Sequence, residues 1–118
     1  MAAFLLAGDP VAAVRAALGG NSAVPVTLLA ALASDTDAPV RRRAAGNAAA
    51  GPALLRRLAG DGVPGVRAAV ARHPAASAAA HRHLLADPDV AVRESLALGS
   101  RHEDVLVTLA GQPAGGPS

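Results

Sequence analysis

Two residue types recur at a spacing that could do chemistry. Asp9, Asp35, Asp61 and Asp87 each stand six residues before an arginine (Arg15, Arg41, Arg67 and Arg93), and each pair follows the last by 26 residues. A carboxylate beside a guanidinium can take part in proton transfer, grip a phosphate or lock two backbone segments together. The periodicity decides among these: an active site is singular, whereas four pairs in one register read as a structural ladder. In that ladder Asp accepts backbone N–H groups at the start of a helix and pairs with Arg of its own or the adjacent unit, holding register more than adding stability. The four histidines are His73, His81, His83 and His102. His81 and His83 are two residues apart, which turns their rings to different faces of a helix, and no carboxylate cluster lies near enough to complete a metal site. His73 falls at a predicted helix end, where an imidazole can cap the last carbonyls. The Ser and Thr hydroxyls show no His–acid partner pattern, and no glycine-rich loop follows a strand to cradle a phosphate. The reading is non-enzymatic, with no metal and no cofactor.

The remaining arginines are the candidate contacts to a partner. Residues 41–83 carry eight Arg against Asp61 alone, while residues 1–40 hold one Arg against three Asp and residues 84–118 two Arg against five acids. The middle of the chain is therefore basic and its ends mildly acidic. Arg56 and Arg57 lie between Leu55 and Leu58 on the outward side of a predicted helix, and 26 residues later the same columns hold Arg82 and His83. The register makes Arg56, Arg57 and Arg82 neighbours in a short basic stripe. Arg42, Arg43 and Arg72 belong to the other helix of each unit, so the positive charge divides between two faces. These six arginines would meet an anionic partner; the plainer reading is a solvated face that keeps an Ala-rich protein soluble.

The elements that must position these residues follow from the 26-residue period. Each unit reads as two short helices. The first carries leucines at helical spacing (Leu28, Leu29, Leu32; Leu54, Leu55, Leu58; Leu84, Leu85) and opens near Pro25, Pro52 or Ser77. The second places apolar residues at i, i+4 and often i+5: Val14 and Leu18; Val40, Ala44 and Ala45; Val66, Val70 and Ala71; Val92, Leu96 and Ala97. Gly20-Asn21, Gly46-Asn47, His73-Pro74 and Gly99-Ser100 end it. Glu103–Ala110 reads as a final helix of the first kind. Helices of two to three turns are marginal alone in water, so neighbours must stack to stabilise them. The expected organisation is one repeat domain over residues 1–110, about four and a half units, with a disordered tail over 111–118.

Composition bounds the rest. Of 118 residues 52% are hydrophobic, with one Phe and no Trp, Tyr or Ile, so Ala, Val and Leu must fill the interior and helices must approach closely. The absence of cysteine excludes disulfides and thiolate metal sites. Every basic side chain is Arg, which together with the Ala, Gly and Pro enrichment points to a GC-rich bacterial genome rather than to selected bidentate chemistry. No apolar run approaches the ~20 residues of a membrane span and no signal peptide opens the chain, so a cytoplasmic location is expected.

Residues 6–98 resemble the leucine-rich repeat variant (LRV) family. The resemblance rests on Val66-Arg67-Ala-Ala-Val70-Ala71-Arg-His73-Pro74, then Leu84 and Asp87-Pro88-Asp89-Val-Ala-Val92-Arg93. The Asp–Arg spacing is also similar to that of the broader HEAT-like helical repeats. The resemblance implies an all-α, right-handed solenoid in which one helix of each unit is short or 3₁₀. Asn21 and Asn47 lack the Pro that follows Asn in the family pattern, and Gly99 replaces the Asn; the cysteine-rich iron–sulfur domain that precedes some members has no counterpart here. Such an array is expected to act as a non-catalytic scaffold presenting its surface to a protein or peptide. The alternative is backbone-directed binding of double-stranded nucleic acid through the basic middle; a near-absence of aromatics disfavours single strands. HEAT-like DNA glycosylases use aromatic and acidic residues in a cleft that this chain does not offer.

Overall fold

The structure, a computed structural model, describes residues 2–111. Nine helices follow one another there: α1 (Ala2–Ala7), α2 (Ala12–Gly19), α3 (Val26–Leu32), α4 (Ala38–Ala45), α5 (Pro52–Leu58), α6 (Pro64–Arg72), α7 (Ala78–Leu84), α8 (Val90–Gly99) and α9 (Glu103–Ala110). The protein is all-α over the described residues, which include no strand. The helices are α-helices of six to ten residues, with no 3₁₀ segment among the described residues. The tail expected from 111 contributes only Gly111, which closes α9; positions 112–118 lie outside the described residues.

Small side chains decide how these helices pack. The even-numbered helices lie one on the next, α2 on α4, α4 on α6 and α6 on α8, and each odd-numbered helix rests against the even ones before and after it. Gly19 of α2 comes so close to α4 that a Cβ there would stand 3.4 Å from the Val40 carbonyl. Gly99 of α8 is tighter still, since its Cβ would lie 2.5 Å from Cα of Arg72. Between the rows, Leu29, Leu55, Leu84, Leu96, Val40, Val66, Val70, Val92 and Val105 are fully buried. The leucine column shows what a neighbouring unit contributes: Leu32, Leu58 and Leu84 are 2%, 2% and 0% exposed, whereas Leu6 is 41% exposed. The molecule measures 50 × 21 × 17 Å. No described helix is long and apolar enough to cross a membrane.

The turns correct one sequence expectation and agree with another, the helix ends at Gly20 and Gly46. Asp9, Asp35, Asp61 and Asp87 do not cap the first turn of the following helix. Each accepts the N–H two residues on (Val11, Asp37, Val63 and Asp89) at 2.8–2.9 Å, and those residues are themselves the N-caps. The aspartates close Asx turns that aim the chain into the helix. Side-chain caps come instead from Asp89, which accepts from Ala91, and Ser77, which accepts from Ala80. At the other ends Gly20 and Gly46 keep right-handed φ near −85° and −87°. The chain is turned there by Asn21 and Asn47, whose Oδ1 atoms accept from Ala23 and Ala49.

Candidate binding surface

Three of the four ladder arginines, Arg15, Arg41 and Arg67, join two units. Nη1 of Arg15, Arg41, Arg67 and Arg93 donates to the backbone carbonyl of the aspartate six residues before it, at 2.7–2.8 Å. Nε of Arg15, Arg41 and Arg67 donates to Oδ2 of the aspartate twenty residues ahead (Asp35, Asp61 and Asp87) at 2.8, 2.8 and 2.7 Å, with Nη2 on Oδ1. Arg15 also pairs with Asp37. The carboxylate partner is thus always the next unit's aspartate, and the own-unit aspartate offers only its carbonyl. The hydrogen bond from Arg15 holds Asp35 below the usual carboxylate range. Burial pushes Asp61 and Asp87 upward, yet the Arg41 and Arg67 guanidiniums and the Val63 and Asp89 N–H groups outweigh it and hold both below that range. Arginine and aspartate in each rung therefore stay charged and fully engaged, an arrangement suited to locking register and unsuited to proton transfer.

A second set of inter-unit bonds runs along the ends of the even helices. Asn47 Nδ2 donates to the carbonyls of Gly19 and Asn21 at 2.6 and 3.0 Å. One unit on, His73 accepts the Ala75 N–H at Nδ1, so Nε2 carries the hydrogen and donates to the Asn47 carbonyl at 2.7 Å. His73 is thus a buried link between units, beyond the helix-end cap expected of it. The signal in the sequence was the column Asn21, Asn47, His73; that its side chains cross to the preceding unit was not legible. Gly99 stands in the same column because α8 runs on against Arg72 and leaves no room for a side chain.

His81 is buried in α7 while His83 is exposed. Nδ1 of His81 lies 2.9 Å from Ser100 Oγ, and the ring meets His102 edge-on at 5.0 Å. Nε2 has no hydrogen-bond partner among the described residues. Burial first, and the neighbouring His102 second, push the His81 imidazole below its usual pKa. The described residues hold no cluster of three metal-ligating side chains.

The basic residues separate as their helices do. On the odd-helix side Arg57 donates to the Ala30 carbonyl and Ser34 Oγ of the preceding unit, at 3.1 and 3.0 Å. Arg82 pairs with Asp104 of the following one at 3.2 Å. Of the expected stripe, Arg56 alone has no polar side-chain partner among the described residues, and it borders a depression shared with His83. On the even-helix side Arg42, Arg43 and Arg72 are exposed, and their guanidiniums have no hydrogen-bond partner among the described residues. Arg42 overhangs an open depression of about 190 Å³ between α4 and α6, floored by Ala38, Pro39, Val63, Gly65 and Val66. Arg72 borders another of about 380 Å³ at the far ends of the same helices, with Gly46, Ala48, Ala69 and Pro74. Both are apolar floors with a free guanidinium at the rim. No family model, curated protein or solved structure matches the chain.

Proposed function

We propose that the protein is a short right-handed α-solenoid of the LRV type, within the HEAT-like class, and a non-catalytic module that binds an acidic peptide segment of another protein along the α4–α6 face. The observation that carries this reading is the pair of apolar-floored depressions between α4 and α6, each bordered by an unengaged guanidinium from Arg42 or Arg72. The 26-residue register and the two sets of inter-unit bonds support a stacked array, whose surface is an extended one suited to a chain-like ligand. Apolar side chains of the ligand would occupy the floors and its carboxylates would meet the arginines, which fix direction and register.

Selection from a displayed peptide library tests this. Bound sequences should alternate acidic and small apolar residues, and Arg42→Ser with Arg72→Ser should weaken binding about tenfold or more. Arg56→Ser, on the other row, should leave it unchanged. Peptides indifferent to the first pair, or sensitive to Arg56, would place the ligand elsewhere. Binding of duplex nucleic acid is the less supported reading, because the positive charge is split between rows and Arg57 and Arg82 are already engaged. A salt titration separates the two: duplex binding would fall with a log–log slope of about −0.9 for each phosphate neutralised.

A further inference from the structure

The two ends of the molecule are complementary halves of one contact, and we propose that copies of this chain associate head to tail, the α8–α9 end of one docking on the α2 face of the next. This surface is distinct from the α4–α6 depressions and does not depend on what they bind.

At the α2 end, Asp9 is already set as in the internal rungs. Its Oδ1 accepts from Val11 at 2.8 Å, but no guanidinium among the described residues meets its Oδ2, the atom that takes Nε of an arginine in Asp35, Asp61 and Asp87. Asn21 is set likewise, with Oδ1 on the Ala23 N–H, while among the described residues its Nδ2 meets no carbonyl of the kind that Asn47 Nδ2 finds in the preceding unit. Between them Leu6, Ala13, Val14, Ala17 and Leu18 line an open depression of about 370 Å³. One unit later the corresponding face, at Val40, Arg43 and Ala44, is covered by Gly19 of α2.

The opposite end offers what is missing. Arg93 holds the Asp87 carbonyl at 2.7 Å as the other rungs do, yet its Nε and Nη2 meet no carboxylate among the described residues. Ala97 occupies the column of Gly19 and is exposed on α8. On α9, Leu106 remains 38% exposed, whereas Leu29 and Leu32 of α3 are 1% and 2% exposed under the following unit. Docking would give Arg93 the carboxylate of Asp9, give Asn21 the last carbonyls of α8, and cover Leu106 and Val14 together. Asp9, Asn21 and Arg93 already have the geometry of the internal rungs, so the rearrangement that opposes the contact is confined to α1.

Sterics add one requirement. In the 26-residue register α9 of one copy and α1 of the next fall on the same place beside α2. α1 is six residues long and leaves Phe4, Leu5 and Leu6 57%, 77% and 41% exposed; α9 is longer and buries Val105 completely. α9 therefore keeps the place and α1 is displaced. A contact between unlike surfaces that repeats the offset between stacked units extends the array instead of closing a ring, so the product is a short chain of copies. The end face, on a cross-section of 21 × 17 Å, is well below the roughly 800 Å² per partner of a standard interface, so association is weak and concentration-dependent.

Sedimentation velocity on the full chain from about 10 μM to about 1 mM tests this. Association should grow across that range. Asp9→Asn keeps the Asx turn, because the amide oxygen still accepts from Val11, but removes the charge, and should weaken association about tenfold. Asp9→Arg and Arg93→Asp should each be monomeric, and an equimolar mixture should associate again because each supplies the charge the other lacks. Helical circular dichroism and a cooperative melt show that the variants are folded. Amides of α1 should exchange faster as association proceeds. A parent protein monomeric at about 1 mM, or association indifferent to Asp9→Asn and not restored by mixing, overturns the proposal. Association with α1 exchange unchanged overturns the displacement of α1.

Discussion

Asp61 shows how much one side chain carries. Its Oδ1 closes the turn into α6 on the Val63 N–H, and its carboxylate receives Nε and Nη2 of Arg41. Asp61→Ala should therefore cost about 1–3 kcal/mol, through the lost turn and a half-buried guanidinium left without its partner. The arginine deprived is Arg41 of the preceding unit, since Arg67 uses only the Asp61 carbonyl. Arg57→Ala, on an exposed face, should stay within about 0.5 kcal/mol; denaturant midpoints for the two variants compare them directly, and equal values would discount the ladder. His81 makes stability depend on pH. Its folded pKa is lowered, so the unfolded chain binds the proton more readily, and stability is complete above the unfolded value of about 6.5 and declines as pH falls below it. The decline, at most about 1.4 kcal/mol per pH unit for one proton, should disappear in His81→Gln when melting is followed from pH 7.5 to 5. The ladder aspartates, held below their usual range, act in a lower window: their contribution is present above about pH 4 and is lost below it.

At the scale of the element, closeness between even helices takes the place of bulk. Isolated helices of six to ten residues are marginal, and an interior of Ala, Val and Leu yields dense packing only if backbones approach closely. Gly99 is where this is most severe, for any Cβ would fall on Arg72 Cα and the Ala71 carbonyl at 2.5 and 2.7 Å. Gly99→Ala should force α8 away from α6 and cost about 1–3 kcal/mol. Gly62→Ala makes the contrast, because nothing lies within 4 Å of its Cβ position and no left-handed φ is involved. It should be neutral or stabilising by up to about 1 kcal/mol, through reduced freedom of the unfolded chain. Thermal melts of both variants check the pair, and equal destabilisation would refute the close-approach account.

For the whole molecule, units that touch only their neighbours should open from the ends. Hydrogen exchange at concentrations too low for association should show α4 and α6 best protected, since each is packed on both sides, and α1 least. Uniform protection would point to one cooperative core. The same linearity disperses the charge: the arginines of residues 41–83 share a stretch of sequence, yet three of the candidate six lie on even helices and three on odd ones, where two already have partners. A single strong positive field is therefore absent from either row.

The period by itself determined the all-helical character, the alternation of two helix kinds and the leucine and valine columns of the core, because burial in short helices demands apolar residues at 3.6-residue spacing and a repeated unit demands the same residues at each return. It determined that Asp and Arg recur as pairs, one to each unit. Only the tertiary structure decided which aspartate each arginine holds, since six residues along the chain and twenty residues ahead are both within reach of a guanidinium and only the offset between stacked units selects between them. The same offset carries Asn47 and His73 across to carbonyls of the preceding unit, engages Arg57 and Arg82 along their row, and leaves the Arg42 and Arg72 guanidiniums without a partner among the described residues, above the α4–α6 depressions. Among the described residues it also leaves Asp9 and Arg93 as open halves of a rung, because each bond of the ladder reaches from one unit to its neighbour.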